Sequence, residues 1–420
     1  MEMESRDKIK KLYLTALMGR AEVFFRVGKY NTALEDIRTG MMSSRKWGKK
    51  KEHADFLLWM GNICTSTGKY TQGIENIERA RKIYRELKNP EGEIECNMDI
   101  AVIWTLKGDY EKGLGFYNRA LRDGGEKIEK IAGIIYNNMG YLYWSMGNYR
   151  RALECFEKSL KIARKEKNLY SEAIRLNNIG AIYHALGERE KALECYEEAM
   201  KIEKIVGNKH GISRILTNIG SIYRELGERG KALSHHIKSL RLKEEMGDKK
   251  GMAVSYNNLG AIYREMKKWK KAEEMYRKSL SIAEEINLKD LMLRVCVNLG
   301  LLYLEKKRLD EAERFIKEAD KIAKEMDSSS GKARVLYAWG RLYGERGDMK
   351  KAEEFLKMAG DKFKEIGDAI GEGEVYYWYA KLLGKGEFLK KAEKIFDRIN
   401  HHEWKRKVEE LKSRGGGDAP

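Results

Sequence analysis

One short pattern constrains this chain more than anything else in it. Asn138-Met139-Gly140-Tyr141-Leu142-Tyr143 returns as Asn178-Ile179-Gly180-Ala181-Ile182-Tyr183 and Asn218-Ile219-Gly220-Ser221-Ile222-Tyr223. It returns again as Asn258-Leu259-Gly260-Ala261-Ile262-Tyr263 and Asn298-Leu299-Gly300-Leu301-Leu302-Tyr303, each time 40 residues on. A period of this size marks a solenoid, whose repeats bury their apolar faces only by stacking on one another. Three columns carry the register further. The first is Gly61, Gly140, Gly180, Gly220, Gly260, Gly300 and Gly340, with Ala21, Ala101 and Ala380 in the other repeats. The second, three residues on, is mostly aromatic: Phe24, Cys64, Trp104, Tyr143, Tyr183, Tyr223, Tyr263, Tyr303, Tyr343 and Leu383. The third lies twelve residues beyond the first and is Ala or Gly throughout, from Ala33 and Gly73 to Ala352 and Ala392.

A glycine inside a helix costs roughly 1 kcal/mol against alanine. A chain that repeats this cost needs the close approach of a second helix. The small column of a first helix is therefore expected to face the small column of a second, with the aromatic column filling the space beside them. Gly28-Lys29-Tyr30, Gly68-Lys69-Tyr70, Gly108-Asp109-Tyr110 and Gly147-Asn148-Tyr149 read as the turns between them. Glycine there adopts the left-handed conformation that ends a helix. Lys267 and Lys307 replace it in two repeats, at a local cost. The expected fold class is all-α, with about ten hairpins over residues 8–400. An amphipathic capping helix follows at 401–414, carrying Trp404, Val408 and Leu411, and then a flexible tail at 415–420. No linker divides the chain.

Composition agrees. Charged residues make up 35% and hydrophobic ones 42%, which suits helices with one wet face, and the only prolines are Pro90 and Pro420. No apolar run approaches the roughly 20 residues that span a bilayer. The charged start lacks a signal-peptide core, so the expected compartment is the cytoplasm. The five cysteines are widely spaced without a CxxC pair, so no zinc site, disulfide framework or cofactor is expected. Gln72 is the only glutamine amid abundant Lys, Glu and Arg, the composition of a heat-adapted, thermophilic protein.

The columns together resemble the tetratricopeptide repeat, and the resemblance covers nearly the whole chain. It implies a right-handed α-α superhelix. The repeat is 40 residues rather than the standard 34, so each helix gains nearly a turn. In this the chain is similar to the long-repeat group of LGN/Partner-of-Inscuteable scaffolds, kinesin light chains and bacterial Rap regulators, which bind peptides or proteins in the concave groove. A first repeat beginning near residue 8 leaves no room for the added helical output domain of Rap-like regulators.

The resemblance places the first helix of each hairpin on the concave side, which puts Asn138, Asn178, Asn218, Asn258 and Asn298 there. In the O-GlcNAc transferase a matching asparagine ladder holds a peptide backbone, and an amide with both donor and acceptor suits that task. The same asparagines serve equally to bond neighbouring helices, and both readings are open. Tyr141, Trp144 and His184 form a candidate aromatic subsite, with packing as the alternative. Around the ladder, first-helix positions carry Arg214, Arg224, Arg264, Arg294, Arg334 and Arg341. Arg224 and Arg264 continue the column of Trp144 and His184, and an arginine fork suits carboxylates and phosphates. Glu225, Glu265, Glu305 and Glu345 alternate with them, so a salt-bridged solvated face is the competing reading. Lysine runs such as Lys267-Lys268 fall on turns and second helices and read as solubility features.

No P-loop, Rossmann, HExxH or GxSxG motif occurs. His235-His236 and His401-His402 are adjacent pairs, which do not share a helix face, and His236 stands in a column with Tyr196 and Tyr276. A core role is expected for it, and no enzymatic activity is expected of the chain. The expected function is a protein-interaction scaffold that binds a peptide or partner protein, acidic or amphipathic, in the groove. The alternative is a basic solenoid that binds RNA or other nucleic acid, in line with a net charge of +18. The repeated glutamates count against it.

Overall fold

The structure is a computed structural model. It describes the backbone of residues 2–26, 29–123, 128–326, 328–399 and 401–415, and side chains within 5–25, 29–123, 131–326, 328–399 and 401–413. Among the described residues there are helices and no strand. The chain forms two compact units, residues 1–182 and 183–420.

The first unit holds α1 (Glu2–Arg26), α2 (Tyr30–Lys46), α3 (Lys50–Ser66), α4 (Tyr70–Glu86), α5 (Pro90–Leu106), α6 (Tyr110–Asp123), α7 (Ile128–Ser145), α8 (Tyr149–Lys165) and most of α9 (Leu169–Ala185). The second holds α10 (Arg189–Val206), α11 (Lys209–Glu225), α12 (Arg229–Glu245), α13 (Lys249–Glu265), α14 (Trp269–Glu285) and α15 (Lys289–Glu305). It continues with α16 (Leu309–Met326), α17 (Ser329–Glu345), α18 (Met349–Glu365), α19 (Ala369–Leu383), α20 (Gly386–Arg398) and α21 (His402–Gly415). The helix expected at 401–414 is α21, and it takes in Gly415 from the expected tail. Gly28, expected in the first turn, and residues 416–420 lie outside the described residues.

Local chemistry sets the boundaries. Asn89, Asn208, Asp248, Ser328 and Asp368 each accept a bond from the amide three residues on, at Gly92, Gly211, Gly251, Gly331 and Gly371. That satisfies one of the donors orphaned at a helix start. These third positions form a second glycine column that the sequence reading missed. A Cβ on Gly92 would stand 2.5 Å from the Tyr84 ring, and one on Gly371 would stand 2.4 Å from Phe363. At the turns within hairpins Gly68, Gly108, Gly147, Gly187, Gly227 and Gly347 have positive φ. Lys267 and Lys307 are forced into the same conformation, each at φ 58°.

The small columns do meet. A Cβ on Gly61 would lie 3.0 Å from the Gly73 carbonyl oxygen, and one on Gly113 would lie 3.2 Å from that of Ala101. A large side chain sixteen residues past the first column fills the same notch: Ile77, Phe156, His236, Tyr276, Ile316 and Leu356 lie over Gly61, Gly140, Gly220, Gly260, Gly300 and Gly340. Most of the aromatic column is half-buried and covered by cations eight residues on. Arg151, Lys191, Lys231, Lys271 and Lys351 lie 5.0–5.8 Å from the rings of Tyr143, Tyr183, Tyr223, Tyr263 and Tyr343. Some of the lysines read as solubility features therefore cover aromatic surface as well. Ser159, Ser239 and Ser279 donate from inside the core to the carbonyls of Gly133, Ser213 and Ala253 at 2.6–2.7 Å, tying second helices to first ones.

First helices also touch the first helices of adjacent hairpins: α1 with α3, α3 with α5 and α5 with α7 in one unit, α13 with α15, α15 with α17 and α17 with α19 in the other. No second-helix pair among the described residues packs to a comparable extent. The first helices are thus the inner layer of each unit. No helix among the described residues is long and apolar enough to cross a membrane.

Candidate functional site

The inner layer of the first unit is acidic. Between α1, α3 and α5 lies a groove of about 450 Å³ lined by Leu14, Met18, Phe56 and Trp59, with Glu22, Glu52, Asp55 and Glu95 among its walls. The Tyr84 hydroxyl donates to Asp55 at 2.6 Å. Burial and the nearby Asp55 carboxylate raise the Glu95 carboxyl above its ordinary range. Burial pushes Asp99 up to about 7, aided by Glu95 and opposed by a bond from Asn62. The net positive charge of the chain is therefore not expressed on this face.

Further along the same unit lie four of the candidate residues. Asn178 donates to the Asn137 carbonyl at 3.0 Å and accepts from the Tyr141 hydroxyl at 3.0 Å. Asn137 in turn donates to Asn138 at 3.3 Å. Tyr141 and Trp144 are stacked, with ring centroids 6.2 Å apart and planes at 10°, and Phe156 meets Tyr141 edge-on. This network joins α7 to α9.

In the second unit Asn298 makes the same bond, to Asn257 at 2.9 Å. Asn218 also has a partner, whereas the half-buried Asn258 makes no hydrogen bond among the described residues. A charged ladder runs beside the amides. His184 Nε2 lies 2.9 Å from Glu225, Arg224 Nε donates to Glu265 at 2.8 Å, and Arg264 Nε is 4.0 Å from Glu305. Every rung joins a first helix to the next one, 41 residues on. Glu225, Glu265 and Glu305, which made the face look mixed, are therefore the partners of its cations, and Glu345 pairs with Lys307 of a turn. The ladder weakens toward Arg264, whose nearest carboxylate is at the limit of an ion pair.

Several guanidinium groups here are incompletely met. Arg214 Nε, Arg264 Nη1, Arg294 Nε and Arg341 Nε, all on first helices, are buried N–H donors without an acceptor among the described residues, as is Arg229 Nε at the start of α12. Arg341 is only 4% exposed and has no carboxylate partner among the described residues. It lies 3.2 Å from the Trp378 ring centroid and donates to the Tyr337 hydroxyl at 3.3 Å. The Tyr276 hydroxyl is likewise buried and unbonded, and Arg264, Arg224 and Glu265 all act on it. Desolvation works against the charge of both Arg224 and Arg264, but nearby groups, Glu265 for the first and Tyr276 and Glu305 for the second, outweigh it and hold both guanidinium groups above their ordinary range. Burial raises the Glu374 carboxyl on the same inner layer, against the pull of Lys407, Arg264 and Arg334.

His236 is 1% exposed in its glycine notch, and burial, with Arg224 and Lys243 nearby, lowers its imidazole to about 4. No group of three or more His, Cys, Asp or Glu among the described residues could hold a metal ion.

The tetratricopeptide repeat family matches residues 132–204 and 211–285, and a further tetratricopeptide repeat pattern matches residues 293–326. These segments coincide with the glycine and tyrosine columns. These segments are tetratricopeptide repeats. No curated protein matches its sequence. Among solved structures, the repeat protein is similar to the apo quorum sensor NprR from B. thuringiensis, at a TM-score of 0.58 and 15% identity, covering 86% of this chain and 100% of that one. It is similar to a Rap protein complexed with competence and sporulation factor, at 0.57 and 14%, covering 87% and 99%. It also resembles a signal-transduction ATPase with a tetratricopeptide repeat sensor from Pyrococcus horikoshii, at 0.55 and 20%, covering 80% of this chain and 54% of that one. These likenesses establish the all-α repeat fold.

Neither Arg229 nor Tyr276 carries a sequence signal for this surface. Arg341, one of the first-helix arginines named from the sequence, stands in the column of Tyr141, Ala181, Ser221, Ala261 and Leu301.

Proposed function

We propose that this protein is an interaction scaffold, and that the inner layer of its second unit binds an acidic segment of a partner protein. The observation that carries this reading is the set of buried guanidinium N–H groups without acceptors on α11, α13, α15 and α17. A buried donor left unmet costs about 1–3 kcal/mol, and a chain that keeps several on one face gains when an acceptor arrives. A carboxylate is the acceptor whose geometry matches the guanidinium fork. Arg224 and Arg264 are part of the surface, with Arg264 the less completely paired. The peptide-holding role proposed for the asparagines narrows to Asn258 and to the amide atoms of Asn138 and Asn298 that no helix contact uses. Tyr141, Trp144 and His184 serve the stacking of repeats in this reading. Rap proteins that share the fold have been solved with competence and sporulation factor and with the Phr* peptide, which agrees with a peptide or protein as partner.

The test is a pull-down with the full chain from native lysate, with and without nuclease, followed by cross-linking to locate the contact. A discrete protein that survives nuclease and cross-links to α11–α17 supports the reading. Recovery of nucleic acid alone, lost steeply as salt rises, would replace it with a polyanion-binding solenoid.

A further inference from the structure

Helix α21 does more than cap the last hairpin. Its apolar face is a sufficient cap: Trp404 stacks on Phe396 at 5.3 Å and meets Tyr377 edge-on at 5.2 Å, and Val408 is buried beside them. Its first turn carries a carboxylate in another direction. Glu403, with 7% of its side chain exposed, lies 3.6 Å from Arg229 Nη2 at the start of α12, four hairpins earlier in the chain. Lys407 reaches the same oxygen at 3.0 Å. Burial pushes the Glu403 carboxyl up, but Lys407, Arg224 and Arg229 hold it below the ordinary carboxylate range. The last helix thus returns an acidic side chain to the arginine-rich face of the second unit.

The quality of this contact is informative. Taking a carboxylate out of water is costly unless hydrogen bonds repay it. Lys407, on the same helix, holds the carboxylate at 3.0 Å, but the 3.6 Å separation from Arg229 is too long for a hydrogen bond, and Arg229 Nε has no acceptor among the described residues. The apolar cap does not need this contact, and the contact is not well made. It is a pairing that a better-placed carboxylate would exchange.

We infer that Glu403 is a resident competitor on the inner layer of the second unit: it occupies Arg229 in the free protein, and an acidic helical segment of a partner displaces it. The identity of the partner class rests on the function proposed above; the latch itself does not. The full chain is compared with Glu403→Gln and Arg229→Gln by amide hydrogen exchange in α21, without ligand. The three proteins are then titrated with a fluorescein-labelled helical peptide of alanine and glutamate and with its glutamine counterpart.

Glu403→Gln is expected to speed exchange in the first turn of α21 and to tighten binding of the glutamate peptide roughly fivefold, the scale of one imperfect ion pair. Arg229→Gln is expected to speed the same exchange without tightening binding. Unchanged exchange in both variants overturns the latch. Peptide binding that is equal in wild type and Glu403→Gln overturns the competition and leaves the binding face standing. Faster exchange with no peptide binding in any protein keeps the latch and rejects the acidic partner.

Discussion

His236 fills in its hairpin the notch that Phe156 and Tyr276 fill in theirs, over Gly220 instead of Gly140 and Gly260. A titratable ring in an aromatic column couples stability to pH. The folded pKa is about 4 and the unfolded value about 6.5. Between those values the unfolded chain binds the extra proton, so the contribution is present above pH 6.5 and lost as pH falls toward 4. The lost stability is roughly 3 kcal/mol, because each tenfold loss of proton affinity on folding is worth about 1.4 kcal/mol. Urea titrations of His236→Phe against wild type should therefore show the variant gaining steadily on wild type between pH 6.5 and pH 4. Parallel curves would place His236 in a wetter site than the one described. The position was legible in the sequence because His236 shares a column with Tyr196 and Tyr276. Its depressed pKa was not, since that comes first from burial in the Gly220 notch and then from Arg224 and Lys243, which converge on it only in the fold.

At the scale of helices, the glycines divide by what lies over them. A Cβ on Gly260 would stand 2.6 Å from the Tyr276 ring, whereas one on Gly115, mid-helix in α6, meets nothing within 4 Å. Gly260→Ala should cost about 1–3 kcal/mol by overpacking, and Gly115→Ala should gain about 0.5–1 kcal/mol from helix propensity. Chemical denaturation distinguishes the two by sign. Turns offer a similar contrast. Lys267 holds a left-handed conformation that suits glycine, and Lys267→Gly should raise stability by about 1 kcal/mol; a denaturation midpoint that falls instead would mean the lysine side chain contributes more than its backbone costs. The glycine, tyrosine and alanine columns, the turns and the terminal helix could all be read from the sequence, because each is local and recurs. The glycines at the third helical position escaped notice because they occur in only some repeats, alternating with residues such as Ser171 and Leu291.

Over the whole chain, the net charge of +18 misleads when read as a single basic surface. The inner layer of the first unit gathers Glu22, Asp55, Glu95 and Asp99, and that of the second gathers Arg214, Arg224, Arg264 and Arg341. Sequence columns located those arginines, yet could not say which were already paired. Pairing is set by the 41-residue offset between rungs, which places Glu265 against Arg224 but leaves Arg264 4.0 Å from Glu305. Nor could any local pattern reveal Glu403 beside Arg229, since that contact depends on how hairpins 6 to 10 curve. The claim most open to test is that the under-paired arginines of the second unit select acidic ligands. Random peptides displayed on phage should be panned against the nuclease-treated full chain and against an Arg214→Ala/Arg264→Ala variant of equal stability. Binders to the wild type are expected to be enriched in Asp and Glu, and the double variant is expected to lose them. Binders that are neutral or basic, or acidic ones that the variant retains unchanged, would contradict that selectivity.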